Sequence, residues 1–349
     1  MGLAAKLAAA NAGASPYPAH PFGQAAPPAA PPQPAFDPTK DVNAVLRMLE
    51  DGVKDQNISH FYPPGSLKPI AERIVRTGAL TQIAQSWHLP YELAMDLARL
   101  ALFDIALLLD DSASMQFFEN GVRIDELRMM AGKIATAAGL FDSDGIEVRW
   151  LNSKKEGNGF TTEAQVVELI GRVKWDRATP LGTAMKHKIL EPLVYKKIKK
   201  NALKKPLLII SVTDGAPTAE PRDEIVKVII EARDKLSKTP YTPDAVSFQF
   251  AQVGNDLEAR QFLEEIDSHP KIGSLVDTCS NFENESDDMA KANPPVHLTR
   301  ELWLTKLLVS LAPFLSPSLP SSSNSSLPAA RPDPLRLGQL GREVMLLAR

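Results

Sequence analysis

The sequence predicts an α/β protein with a doubly wound, mostly parallel central sheet that is flanked by helices. Short apolar runs of strand length alternate with amphipathic helical segments, and this alternation is typical of parallel sheets. Two of the runs, 105–109 and 207–212, are almost entirely apolar, as are strands that are buried on both faces. The length of 349 residues is enough for one large domain with flanking segments.

Both ends of the chain have compositions that predict disorder. Residues 1–40 are rich in Ala and Pro, and residues 313–349 are rich in Ser and Pro. Segments with so few large apolar side chains cannot offset the entropy that is lost on ordering, so we expect a disordered first tail and a mostly disordered second one. A weak helix is predicted for 335–349.

Residues 41–100 are predicted to form three or four helices, which we call the preface. Their apolar residues recur at helical spacing, and Pro90 precedes the last of these helices. The residues that define the spacing are Val42, Val45, Leu46, Leu49, Ile70, Ile74, Leu80, Leu93, Met95, Leu97 and Leu100.

The predicted sheet domain spans 101–312. Each helix between its strands carries one apolar stripe, and a last helix at 301–311 follows a long polar connection at 277–298. The strands are predicted at 105–109, 146–151, 207–212 and 246–253.

Composition and charge narrow the possible partners and compartments. The net charge of -3 and the pI of about 6.1 show no global positive excess of the kind that attracts nucleic acid or anionic membranes. Cys279 is the single cysteine, so an internal disulfide and a cysteine metal cage are excluded. The N-terminal segment lacks a convincing targeting signal, and no apolar run reaches membrane-spanning length. We expect a cytoplasmic protein, with the nucleus as an alternative, that is not secreted.

Oxygen-bearing side chains follow two of the predicted buried strands. Asp110 ends the first strand in LLLDDSASM, with Ser112 and Ser114 at alternate positions after it. Asp214 ends another strand in SVTDGAP, and Thr179 precedes a helix in WDRATPLGTAM. Ligands of doubly wound sheets bind beyond the carboxyl ends of the strands, so we expect these five side chains to lie close together.

Two carboxylates and three hydroxyls are hard oxygen donors, which suit Mg²⁺ or Mn²⁺ better than zinc or copper. Because the hydroxyls are neutral, the ion keeps a positive charge and an open position for an oxygen of a partner. Asp111 is left out of the ligand set, because the serine spacing counts from Asp110. We expect it to support the site or to be solvated.

These motifs resemble the complete metal-ion-dependent adhesion site of a von Willebrand factor A domain. The resemblance covers roughly 101–312, with D-x-S-x-S, TPLGTAM and VTDG in order. It implies that the two serines and the threonine bind the metal directly, that the two aspartates bind it directly or through water, and that the module binds proteins rather than catalysing a reaction. The segments ISHFYPPGSL and ANPPVHLTRELWLTKLL further resemble an intracellular group of fungal proteins. Two features depart from the family pattern. Ala113 occupies a position often held by glycine, and the family's third, antiparallel edge strand is hard to recognise in 152–165, which leaves the local topology open.

The leading hypothesis is an intracellular module that binds an acidic residue of a protein partner through Mg²⁺ or Mn²⁺, with neither nucleic acid nor membrane as a partner. Two alternatives stay open: a metal-dependent phosphate-ester hydrolase, and a scaffold subunit with a structural metal. A serine-rich helix cap explains the first motif alone, but not its combination with Thr179 and Asp214.

Two other segments have simpler interpretations than a binding site. The lysine-rich run at 196–205 is interpreted as a solvated helix end, and 142–145 as a turn rather than a calcium loop.

Overall fold

The structure is a computed structural model that describes residues 37–273, 275–291 and 297–309. The predicted second tail and its weak helix lie outside these residues, as does the first tail up to residue 36. The last residues assigned to the first tail form a short 3-10 helix, Pro38–Lys40, which the Asp37 side chain caps. No described helix is both long and apolar enough to cross a lipid bilayer.

The described residues form a mostly parallel sheet of six strands in the order β3-β2-β1-β4-β5-β6. β3 pairs with β2 in antiparallel orientation, whereas the other neighbouring pairs are parallel. The predicted fold class is therefore confirmed. The strands are β1 Asp104–Leu109, β2 Ile146–Trp150, β3 Gly157–Phe160, β4 Leu207–Thr213, β5 Val246–Gln252 and β6 Val276–Cys279.

The centre of the sheet explains the two nearly continuous apolar runs. All residues of β4 are buried, and Asp104 is the one partly exposed residue of β1. Helices cover both faces of the sheet, so side chains that point either way enter an apolar environment. Ile105 and Leu107 face one buried cluster, whereas Ala106 and Leu108 face the other.

The two edges of the sheet differ from the sequence prediction. The edge strand β3 lies within 152–165, where its sequence GNGF has no apolar alternation that could identify it. The segment 277–298, predicted as a polar connection, contains the last three residues of β6 and the helix Phe282–Ala290, so that prediction was wrong. β6 buries only Val276 and Cys279, which is too little apolar sequence to predict a strand.

The preface forms four α-helices, in agreement with the predicted three or four. Gly78 adopts a left-handed conformation with φ of 68°, which ends one helix and begins the next. The preface helices are α1 Val42–Asp55, α2 Leu67–Thr77, α3 Ala79–Ser86 and α4 Tyr91–Leu97.

The helices around the sheet follow the predicted stripes. Their bounds are α5 Ser114–Phe117, α6 Val122–Phe141, α7 Glu163–Ile170, α8 Leu181–Ala184, α9 Lys196–Lys199, α10 Glu224–Leu236, α11 Leu257–Asp267, α12 Phe282–Ala290 and α13 Arg300–Val309. A π-helical segment, Met185–Tyr195, joins α8 to α9. α9 ends at Lys199, within the lysine-rich run, as predicted for a helix end.

The preface shares one hydrophobic core with the face of the sheet that carries Ile105 and Leu107, which we call the first face. A single buried cluster joins preface residues such as Leu49 and Leu97 to α6 residues such as Leu127 and to the β1 side chains on the first face. The Arg73 guanidinium of α2 also donates a hydrogen bond to the carbonyl of Phe141, the last residue of α6. The preface therefore packs directly onto the helix that covers β1 and β2.

We expect Leu97→Ala to lower the free energy of unfolding by about 2–5 kcal/mol, because the fully buried side chain leaves a cavity between the preface and the sheet domain. The measurement is urea denaturation. The matched control is Leu257→Ala, which removes the same atoms from an exposed position and should change stability by about 0.5 kcal/mol or less. Equal effects of the two variants would contradict a shared core.

Candidate metal site

Asp110 lies at the carboxyl end of β1 and is held by both central strands. Its backbone N–H donates to the carbonyl of Val212 at 3.0 Å, which continues the β1–β4 pairing beyond β1. Its Oδ2 accepts a hydrogen bond from the Thr213 hydroxyl at 2.6 Å, and its Oδ1 accepts one from the Ser112 backbone N–H at 2.8 Å. The side chain is fully buried. The carboxylate is therefore fixed in position before any ligand binds.

A chain of hydrogen bonds joins the D-x-S-x-S motif to the second strand end. The hydroxyls of Ser112 and Ser114 lie 2.9 Å apart, and the Ser114 hydroxyl donates to Oδ1 of Asp214 at 2.9 Å. Asp214 follows β4 directly and is fully buried. Four of the five predicted side chains, including Asp110, are thus brought together at the carboxyl ends of β1 and β4.

The fifth predicted residue, Thr179, lies in the adjacent loop before α8. Its backbone N–H donates to the Thr218 hydroxyl at 2.9 Å, and its carbonyl accepts from the Thr218 N–H at 3.1 Å. Arg177, two residues earlier, pairs with Ser112, and the Ala113 N–H donates to the Arg177 carbonyl at 2.8 Å. This pairing places the Thr179 loop beside the serine loop.

The Thr179 side chain is buried, yet its hydroxyl makes none of the hydrogen bonds that join the other four side chains among the described residues. The backbone, rather than the hydroxyl, is used to hold the loop in place. These contacts place the Thr179 loop beside the serine loop, and the role of the Thr179 hydroxyl as a ligand stays a prediction.

Asp111 is buried and supports the loops on the other side of the site. Its Oδ1 accepts from the backbone N–H and the side-chain amide of Asn152 at 2.8 and 3.0 Å, and its Oδ2 accepts from the Ser153 N–H at 2.8 Å. The Asn152 amide also donates to the carbonyl of Ala178 at 2.8 Å. Asp111 thus holds the loop after β2, and Asn152 connects that loop to the Thr179 loop. The alternative that Asp111 is solvated is wrong.

Arg123 is a site residue that sequence reasoning missed. Its Nη1 donates to Oδ2 of Asp214 at 2.7 Å, and its Nη2 contacts Oε1 of Glu119 at 2.8 Å. The Arg123 side chain is buried on α6. A sequence signal did exist, because Arg123 precedes Leu127 by four residues and therefore lies on the buried face of the helix.

The two buried carboxylates of the cluster interact with each other, and one arginine pairs with the second of them. Burial, and then the negative charge of Asp214, raise the pKa of the Asp110 carboxyl to about 7. Arg123 offsets the charge of Asp214 directly. Two carboxylates at close range in a low-dielectric environment are costly unless further positive charge is present, and a divalent cation would supply it.

The side chains fit a hard cation in their chemistry. Among the described residues no group of three or more His, Cys, Asp or Glu side chains could hold a metal, so a cation here would depend on hydroxyl ligands. Ser112, Ser114 and Thr179 would supply those hydroxyls, and the aspartates would supply the charge. Oxygen donors of this kind match the preference of Mg²⁺ and Mn²⁺.

Comparisons with known proteins leave the family open. No protein-family model matches the chain, and no curated protein matches it at a significant level.

We expect Arg123→Met to lower the free energy of unfolding of the metal-free chain by about 3–5 kcal/mol, because it leaves the buried Asp214 carboxylate without its cationic partner. Denaturation in urea with EDTA measures the effect. The control is Arg172→Met, which removes an exposed ion pair with Glu168 and should cost about 1 kcal/mol or less. If both variants lose the same small amount, the buried pair does not stabilise the site.

Proposed function

We propose that this chain is a protein-interaction module of the von Willebrand factor A type that binds a carboxylate of its partner through Mg²⁺ or Mn²⁺. The ligands are Asp110, Ser112, Ser114, Thr179 and Asp214. The observation that carries the proposal is the hydrogen-bonded chain from Ser112 through Ser114 to Asp214, which joins residues about 100 positions apart at one edge of the sheet.

The charge balance supports a carboxylate as the partner group. A cation held by these side chains would attract and coordinate an incoming anionic oxygen. Arg123 pairs with both Asp214 and Glu119, so the two aspartates, Glu119, Arg123 and a divalent cation are together neutral, and the positive charge lies on the cation itself. The serine and threonine ligands do not reduce this charge, because hydroxyls are neutral. An acidic side chain from another protein is the matching ligand.

The surroundings of the cluster favour binding over catalysis. A hydrolase needs a general base beside the metal, and Asp111 is the nearest further carboxylate in sequence. Its oxygens already accept three N–H donors that hold the neighbouring loop. Among the described residues, no histidine side chain is hydrogen-bonded to the five ligands. We therefore propose that the chain is not an enzyme.

The proposal includes a reducing compartment, the cytoplasm or the nucleus. Cys279 is buried, and burial raises the pKa of its thiol. A buried neutral thiol is an apolar core residue with little reactivity.

We expect the wild-type chain to bind Mg²⁺ and Asp110→Ala to lose this binding, because the variant removes one of the two carboxylates that attract the ion. Isothermal titration calorimetry of the whole chain measures it. The control variant Asp125→Ala removes an exposed carboxylate from the first turn of α6 and should bind Mg²⁺ as the wild type does. Equal affinity in the wild type and Asp110→Ala refutes the site.

We expect Thr179→Val to weaken Mg²⁺ binding by at least about tenfold, because it removes one oxygen ligand while keeping the shape of the side chain. The thermal midpoint of the metal-free variant should stay close to that of the wild type, since the loop is held by the backbone of Thr179. Unchanged Mg²⁺ affinity would remove Thr179 from the ligand set and leave the other four residues.

A further inference from the structure

Exposed large apolar side chains are concentrated beside the candidate metal site. Of the five such side chains among the described residues, four lie in the segments 114–122 and 253–257, which follow β1 and β5. We call these four the apolar rim: Phe117 (76% exposed), Phe118 (56%), Val122 (48%) and Leu257 (66%). The fifth, Tyr91, belongs to the preface. A cluster of exposed apolar residues of this kind marks an interaction surface.

Contacts through Arg123 connect the apolar rim to the site. The Arg123 guanidinium lies 5.0 Å from the centre of the Phe118 ring while it holds Asp214. The same side chain packs against Gly254, where an added Cβ would lie 2.5 Å from its Nε. The Asn255 N–H donates to Glu119, the other partner of Arg123. The loop that leads to Leu257 therefore lies against the segment that carries the two phenylalanines.

The opposite side of the site carries positive charge. Lys154 and Lys155 are exposed and form no ion pair with another described residue. They follow Ser153, whose backbone N–H is bound by Asp111, so they lie at the edge of the site. Arg177 is 71% exposed, and its guanidinium Nε lies 3.8 Å from the carboxylate of Asp176, which is 61% exposed. These three cations form the basic rim.

We propose that the site recognises a partner segment with two unlike sides, an acidic one for the basic rim and a bulky apolar one for the apolar rim. This inference rests on the proposed function, because an acidic residue between the two sides occupies the metal. Charge complementarity sets the orientation. Lys154, Lys155 and Arg177 attract further acidic residues, whereas Glu258, the charged residue beside Leu257, is negative and pairs with Arg222.

The two rims have different roles in binding. Buried aromatic and aliphatic contacts next to an anchoring group carry much of the affinity of an interface. Exposed charges mainly steer association and select among partners, and their effect falls as salt rises. The metal alone accepts any carboxylate, so the rims determine which acidic segment binds.

The test is a selection from a displayed library of random linear peptides on the whole chain with Mg²⁺ present, followed by affinity measurements on the enriched peptides. We expect enriched sequences to contain acidic residues next to a bulky apolar residue, and EDTA to abolish their binding. Phe117→Ser with Phe118→Ser should weaken binding by at least about tenfold. Lys154→Glu with Lys155→Glu should weaken it by about fivefold at low salt and less at high salt.

Two single-residue control variants make changes of the same kind away from the site. Tyr91→Ser removes the exposed aromatic ring of the preface, and Lys68→Glu reverses an exposed charge on α2. Both should leave peptide affinity within about twofold of the wild type, since neither residue belongs to a rim. Thermal midpoints of all variants check that each chain is folded.

Calorimetry with Mg²⁺ on the same samples separates two kinds of failure. A wild-type chain that binds no Mg²⁺ overturns the proposed function. A chain that binds Mg²⁺, yet enriches no peptide or enriches peptides without the acidic and apolar pattern, overturns only the inference on the rims. Equal peptide affinity in the rim variants and the wild type does the same. Mg²⁺-dependent dimers that Phe117→Ser with Phe118→Ser dissociates would assign the rims to a second copy and also overturn the inference.

Discussion

The parallel pairing of β1 with β4 is the constraint on which the candidate site depends. Leu109 lies opposite Val212, so Asp110 and Asp214 follow two adjacent strands at the same edge of the sheet. The chain leaves β1 towards α6 on one face and leaves β4 towards α10 on the other. The two connections diverge there and open a crevice between the strand ends. Thr213, the last residue of β4, bridges the crevice by its bond to Asp110.

The charges in this crevice connect the buried cluster to the surface around it. Arg123 lies between Asp214 and the Phe118 ring, so the residue that offsets the buried charge also positions part of the apolar rim. On the other side, Asp111 holds the loop that presents the exposed lysines. The proposed metal binding and the proposed choice of partner thus depend on the same few polar contacts, and a change in either carboxylate is expected to affect both.

The preface stabilises the site indirectly through α6, the helix that carries Arg123. α6 lies between the preface and the first face of the sheet, and all three contribute to one buried cluster. Arg73 satisfies a carbonyl at the carboxyl end of α6, where helix carbonyls lack partners within the helix. Both ends of α6 are therefore fixed, one at the site and one at the preface. This packing gives the preface a structural role in a domain of the proposed type.

The sequence alone determined the wound sheet, its central strands and the residues that follow them, because burial on both faces leaves apolar runs and a polar residue at each strand end. It did not reveal β3, whose glycine-rich sequence carries no periodic pattern, or β6, which is too short to show one. Tertiary structure alone decided the pairing of Arg123 with Asp214 and the shared core of the preface. Such contacts join residues far apart in the chain, and a local sequence pattern does not specify which distant charge or surface a residue will contact.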